Sequence, residues 1–211
     1  MRRMTGLDGL GVAATLTMAM ALFASPAIGG SHQWRFSEFY SSPDRSIQFI
    51  EMMEIAGSEA EGGIGNRWFE TNSFNADHSQ TLGSNLPQGT AFKKFLVGSQ
   101  SYAALPGVPT PDYIVPDGIL EPDGDTIMWW FYQTIVIAPG VMPSDGVMSI
   151  TVVDPVVPSF SVGVNSPTNF AGETGTVVLP TALPVSSTVG AITIVLTSAL
   201  LGFWVLRRRV A

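Results

Sequence analysis

Trp34-Arg35-Phe36-Ser37-Glu38-Phe39-Tyr40, then Ser41-Ser42-Pro43-Asp44-Arg45, then Ser46-Ile47-Gln48-Phe49-Ile50-Glu51-Met52-Met53-Glu54: the reading of these consecutive stretches decides the fold. The first alternates with a period of two, as a pleated strand does, and so places Trp34, Phe36, Glu38 and Tyr40 on one face. The second is made of turn formers, and the third reads as another strand. A connection this short makes the two strands antiparallel neighbours, a hairpin. Outward from it, strands are expected at Asn66 to Thr71, Lys94 to Gly98, Asp112 to Val115 and Thr126 to Ala138. The last is long for a strand, and Gln133-Thr134 marks a bend or bulge in it. Residues 57–65, rich in Gly and Glu, read as an exposed loop. No long stretch has helical periodicity and no internal repeat is evident, so the expected class is all-β, a β-sandwich.

The chain has 211 residues, 10 Lys plus Arg against 17 Asp plus Glu, and no Cys. A disulfide scaffold, a cysteine nucleophile and a thiolate zinc site are excluded. The charge is segregated. Residues 31–183 hold 16 acids and 5 bases, a net charge of −11, whereas the last 28 residues carry only Arg207, Arg208 and Arg209. Phosphates would be repelled by the middle of the chain, so a nucleic-acid partner is not expected.

The two ends read as addresses. Met1-Arg2-Arg3, the apolar run Leu10 to Ala24 and the small residues Ala24-Ser25-Pro26-Ala27-Ile28-Gly29 have the three features of a secretory signal peptide, residues 1–29, with cleavage after Ala27 or Gly29. Val185 to Leu206 is uncharged, and as a helix rising ~1.5 Å per residue it is long enough to span a hydrocarbon core of ~30 Å. The three arginines follow it as a cytoplasmic tail, residues 207–211, which by the positive-inside rule leaves the domain outside. The expected protein is therefore exported to the cell envelope and single-pass. Between the domain, residues 31–153, and the span, residues 154–184 are rich in Pro, Ser, Thr and Gly. Phe160, Val162, Val164 and Phe170 predict that this segment packs on the sandwich up to about Ala171 and is a linker thereafter.

Two resemblances follow. The C-terminal layout of one apolar span and a terminal Arg cluster resembles the bacterial sorting signals of the PEP-CTERM and IPTL-CTERM kind, which implies a membrane protease that processes or sorts the tail. Val178-Leu179-Pro180-Thr181-Ala182-Leu183-Pro184-Val185 carries neither family's motif, so the likeness is one of architecture. Trp34 to Glu51, with Glu38 and Phe49-Ile50-Glu51, resembles the opening of lamin-tail-domain-like proteins. Residues 103–116, Gly124-Asp125-Thr126 and Asn165-Ser166-Pro167-Thr168-Asn169-Phe170-Ala171-Gly172 resemble exported bacterial proteins with such tails. The resemblance implies an immunoglobulin-like sandwich and an export route, with no reaction.

Candidate chemistry is sparse. His32 and His78 are the only imidazoles, and no Gly-x-Ser-x-Gly turn accompanies them, so a solvated loop histidine is the plainer reading of His78. Glu38 and Glu51 are a candidate carboxylate pair for an exported hydrolase if the hairpin buries them together, which would raise the pKa of one. Asp117, Glu121, Asp123 and Asp125 are the candidate metal ligands, with calcium the one cofactor considered. Asp-Gly pairs are also ordinary turn formers. On a strand, Trp129-Trp130-Phe131-Tyr132 must alternate, so Trp130 with Tyr132 is a candidate ligand-binding pair for a sugar ring or a protein surface. The function these residues favour is a non-catalytic module of envelope or surface interaction or adhesion. A calcium- or carbohydrate-binding module and an exported hydrolase using Glu38 with Glu51, or His78, are the alternatives.

Overall fold

A computed structural model of the chain describes residues 29–71 and 79–179. Nearly all of the expected signal peptide, His78, and the expected membrane span with its arginines lie outside them. Among the described residues no helix is long and apolar enough to cross a membrane.

The regular structure of the described residues is almost all strand, joined by turns and irregular chain. Its elements are β1 (Trp34–Ser41), β2 (Gln48–Glu54), β3 (Trp68–Glu70), β4 (Ser79–Thr81), β5 (Lys94–Ser99), a single helical turn α1 (Gln100–Ala103), β6 (Tyr113–Val115), β7 (Asp125–Trp129), β8 (Gln133–Ile137), β9 (Met148–Asp154) and β10 (Ser159–Val164). Six strands form one sheet in the order β10-β9-β1-β2-β5-β6, and four form the other in the order β4-β3-β7-β8. Every named pair is antiparallel except β5 with β6. Between the sheets lies one core in which Trp34, Phe36, Phe39, Ile50 and Phe95 of the larger sheet meet Phe69, Ile127, Trp129 and Ile135 of the smaller. Burial of these aromatic and branched side chains, roughly 1.5–3 kcal/mol each relative to exposure, is the main force closing the sandwich.

The β1–β2 hairpin forms as the alternation predicts, but the face assignment is corrected. Phe36 pairs with Met52 and Glu38 with Glu51, so Ser37 is an extra residue and the strand bulges there. Before the bulge Trp34 and Phe36 face the core; after it Phe39 does, and Glu38 with Tyr40 turns to the outer face. The bulge thus keeps three aromatic rings inward and releases a carboxylate outward.

The aromatic run is corrected as well. The expected single strand over residues 126–138 is a hairpin, β7 and β8, with Trp129 opposite Gln133 and residues 130–132 as its loop. Trp130 has a φ of +47°. Trp130 and Tyr132 therefore do not alternate on a strand.

The outer face of the larger sheet is covered over β1, β2 and β5. Tyr40, Phe49, Leu96, Tyr102 and Val177 make a second, smaller cluster, to which Leu105, Val108 and Leu179 add. The covering chain is α1 with its following loop and residues 165–179, here called the strap. The strap runs out across the sheet, reverses near Gly172 (φ +86°), pairs Thr168 with Thr174, and returns until Leu179 lies beside Gly146. The packed region accordingly extends past the linker boundary expected at about Ala171. Gly98 leaves the room that α1 needs, since a Cβ there would stand 2.5 Å from the Tyr102 ring.

Candidate functional site

Three features carry chemistry, and each can be traced to where the strands place it. The first is the row of carboxylates beneath the strap. Glu38 and Glu51 are directly opposite on β1 and β2 and are 2 % and 0 % exposed. The hairpin brings together the pair that the sequence singles out. Glu38 accepts from the Ser149 hydroxyl at 2.6 Å, from the Ser166 backbone N–H at 2.8 Å and from the Ser166 hydroxyl at 3.0 Å. Glu51 accepts from the Ser37 hydroxyl at 2.6 Å and the Thr168 N–H at 2.8 Å, and pairs with Lys94 at 2.8 Å. Asp112, at the start of the chain leading into β6, accepts from Leu96 N–H at 2.8 Å and Phe170 N–H at 2.9 Å.

The strap's residues 166, 168 and 170 thus each donate a backbone N–H to a different carboxylate. With a period of two along the strap, its amides meet β1, then β2, then the Asp112 carboxylate that also holds Leu96 of β5. Burial pushes the pKa of Glu51 above the ordinary carboxylate range, against the pull of Lys94 and Ser37, and burial likewise raises Asp112 against its backbone donors. With these oxygens committed to the strap, the row is a clasp. Acid–base chemistry at Glu38 and Glu51 would require the strap to leave first.

The second feature is the acidic loop. Its four candidate metal ligands do not converge. Asp117 accepts from the Ser101 N–H at 2.8 Å and the Ser101 hydroxyl at 2.6 Å, in front of α1. Arg45 bridges Glu121 at 2.9 Å and Asp123 at 2.7 Å, and Asp125 accepts from the Glu121 N–H at 2.9 Å. Among the described residues no group of three or more His, Asp or Glu is placed to hold a metal ion. A guanidinium stands between two of the proposed ligands, where it supplies the positive charge that a cation would.

The third feature is the tip of the β7–β8 hairpin. Phe131 projects there, 79 % exposed, beside the half-buried Trp130. Trp68 on β3 joins them, its ring centroid 5.5 Å from Trp130 and 5.7 Å from Phe131, while Trp130 and Phe131 are 5.1 Å apart. The Arg67 guanidinium lies 4.9 Å over the Trp130 ring. The rings are inclined to one another by 51° to 81°, a herringbone cluster and not a flat platform. Tyr132 stands away from it, packed on the core with its hydroxyl accepting from Ser31 at 3.4 Å. Of the candidate pair Trp130 and Tyr132, then, only Trp130 belongs to the surface cluster, where it is half-buried. Trp68 is the member the sequence reading missed, although Trp68-Phe69 alternation, with Phe69 buried, put it on the outer face.

His32 is exposed, with Nδ1 3.5 Å from Glu61. The chain's two ends of interest are opposed. β1 begins beside Gln133, near the aromatic tip, and ends at the Ser42–Arg45 turn; there Tyr40 donates to the Gly146 carbonyl at 3.0 Å, and Leu179 lies against Gly146. The aromatic tip and the strap's exit sit at opposite poles of the sandwich. Comparison with family models, curated proteins and solved structures finds no match to this chain.

Proposed function

We propose that this chain is a non-catalytic interaction module of the cell envelope, exported by its N-terminal segment and presented outside the membrane by its C-terminal one, and that it recognises a protein surface through Trp68, Trp130 and Phe131. The observation that carries this reading is a surface cluster of three aromatic rings, Phe131 exposed and Trp68 and Trp130 half-buried, with an arginine stacked on one of them. Trp, Phe and Arg are the side chains most enriched where protein surfaces bind one another, and Trp130 is held at a positive φ that a bulky residue adopts only at some cost. The inclination of the rings favours insertion into a partner's cleft over stacking on a sugar. A membrane-proximal exit at Leu179 leaves only residues 180–184 before the expected span, at most ~17 Å of extended chain, so the tip at the far pole points outward. The satisfied carboxylates beneath the strap support a structural role for Glu38 and Glu51. An immunoglobulin-like, lamin-tail-like relationship and a sorted tail belong to the same proposal.

The test is binding of the purified exported domain to isolated envelope protein and, separately, to envelope polysaccharide. Phe131→Ser and Trp130→Gly are expected to weaken protein binding at least roughly tenfold, about 1.4 kcal/mol, with the melting temperature held. Unchanged binding by both variants refutes the tip as the recognition surface, and binding to polysaccharide alone refutes the protein partner.

A further inference from the structure

A second site lies beside the tip, where β1 and β9 diverge. The two strands pair only at Glu38 with Thr151 and Phe39 with Ile150, because the bulge at Ser37 turns the first half of β1 away from β9. Gln133 bridges the opening: its Oε1 accepts from the Phe36 N–H at 2.8 Å and its Nε2 donates to the Pro155 carbonyl at 2.9 Å. Around this bridge is a recess of about 270 Å³ whose walls include Arg35, Tyr132, Pro155, Val156 and Pro158.

Arg35 is the unusual wall. One guanidinium nitrogen, Nη1, donates to the carbonyls of His32 at 2.6 Å and Trp34 at 2.8 Å, which fixes the group in place. Among the described residues Arg35 makes no ion pair, in a domain where acids outnumber bases threefold. Burial lowers its pKa and Glu61 offsets this only in part, so the cation sits partly desolvated with no carboxylate in direct contact. Thr134, another residue of the wall, lies on β8, the last strand of its sheet, which has no neighbour on its outer edge among the described residues. A fixed guanidinium, an apolar wall with a Val156 side that is 78 % exposed, and an open strand edge are the three elements by which a domain takes the end of an extended peptide.

We infer that this recess binds the carboxy-terminus of an extended apolar peptide, its carboxylate on Arg35 and its backbone along the edge of β8. A monoanion suits the site because the domain's net negative charge repels more acidic ligands. The assignment is independent of the aromatic tip, since Trp130 and Phe131 do not line the recess.

The probe is acetyl-trivaline as the free acid and as the carboxamide, titrated into the full-length protein in detergent and followed by amide chemical shifts. The acid is expected to bind with a dissociation constant below about 1 mM and the amide roughly tenfold more weakly, with shifts centred on Arg35, Gln133 and Thr134. Arg35→Gln is expected to erase the difference between acid and amide. If Arg35→Gln unfolds, Val156→Asp, on an exposed turn, tests the same site by putting a like charge at its mouth, and it too is expected to abolish acid binding. Trp130→Gly with Phe131→Ser is expected to leave it intact. Equal binding of acid and amide, absence of binding by both, or Arg35-dependent binding of trigalacturonate in place of the peptide acid overturns the assignment.

Discussion

Replacing Glu38 with Ala tests the clasp beneath the strap most directly. The substitution strands three donors at once, the hydroxyls of Ser149 and Ser166 and the Ser166 N–H, all within 3.0 Å of the lost carboxylate. Hydrogen bonds to a charged acceptor contribute ~1.5–3 kcal/mol each, and a buried donor left unmet costs ~1–3 kcal/mol. The Ser166 groups are only partly buried and water can reach them once the strap loosens, so the net loss is about 4 kcal/mol rather than the full sum. In a domain of this size that lowers the melting temperature by roughly 8–16 °C. The informative assay is native-state hydrogen exchange. Because the strap is held by one row of acceptors, its amides should open as a unit, those of Ser166, Thr168 and Phe170 exchanging up to roughly a thousandfold faster, while β2 and β5 amides in the sheet beneath change far less. Glu38→Gln, which keeps one acceptor oxygen, should recover about half of the loss. If Glu38→Ala costs less than about 1 kcal/mol, or if protection falls evenly across strap and sheet, the strap is not clasped by these carboxylates.

The pH dependence has a definite sign. The folded pKa values of Glu51 and Asp112 lie above their unfolded values, so their contribution is complete below the unfolded range and is lost as pH rises through the folded one. Chemical denaturation should therefore show stability holding or rising as pH falls from 7 toward the ordinary carboxylate range of about 4, and Glu51→Gln should flatten that segment. Further acidification should reverse the trend. Burial pushes Glu54 up, but the N–H groups of Phe92, Ala56, Ser58 and Gly57 hold it below its usual value, so its stabilisation is present above the unfolded pKa and is lost as pH falls through the folded one. Gly98→Ala should cost about 1–3 kcal/mol in equilibrium unfolding, because the added methyl meets the Tyr102 ring and Pro111. Trp130→Gly should change stability by no more than about 1 kcal/mol, since relief of the positive φ offsets the lost ring contacts; a larger drop in a thermal melt would mean the tip is built for the fold.

The first hairpin was legible because Trp34 to Glu54 states its alternation and turn in local chemistry, and the meeting of Glu38 with Glu51 follows from that hairpin. The bulge at Ser37 was not legible. It depends on cross-strand register, which no residue near Ser37 announces. The β7–β8 loop was hidden for the opposite reason: Trp130, Phe131 and Tyr132 are strong strand formers, with no Gly, Pro, Asn or Asp to mark the reversal. The strap's destination was visible only as scattered apolar residues at Phe160, Val162, Val164 and Phe170. What locks it are bonds between residues more than a hundred positions apart, such as Glu38 with Ser166 and Glu51 with Thr168. The acidic loop looked like a cation site because the sequence cannot show that Arg45 reaches it from 76 residues away.

Tension applied at the C-terminal side of the strap would not reach the sheets at once. Pulling at Leu179 loads the return leg first, where the rungs from Val177 to Asn165, Gly175 to Pro167 and Thr174 to Thr168 break in succession, as a zipper opens. Only then are the amides on Glu51 and Glu38 drawn off. The fifteen residues let out would lengthen the molecule by roughly 50 Å while the ten strands stay paired. Such a domain yields a leash before it yields its shape.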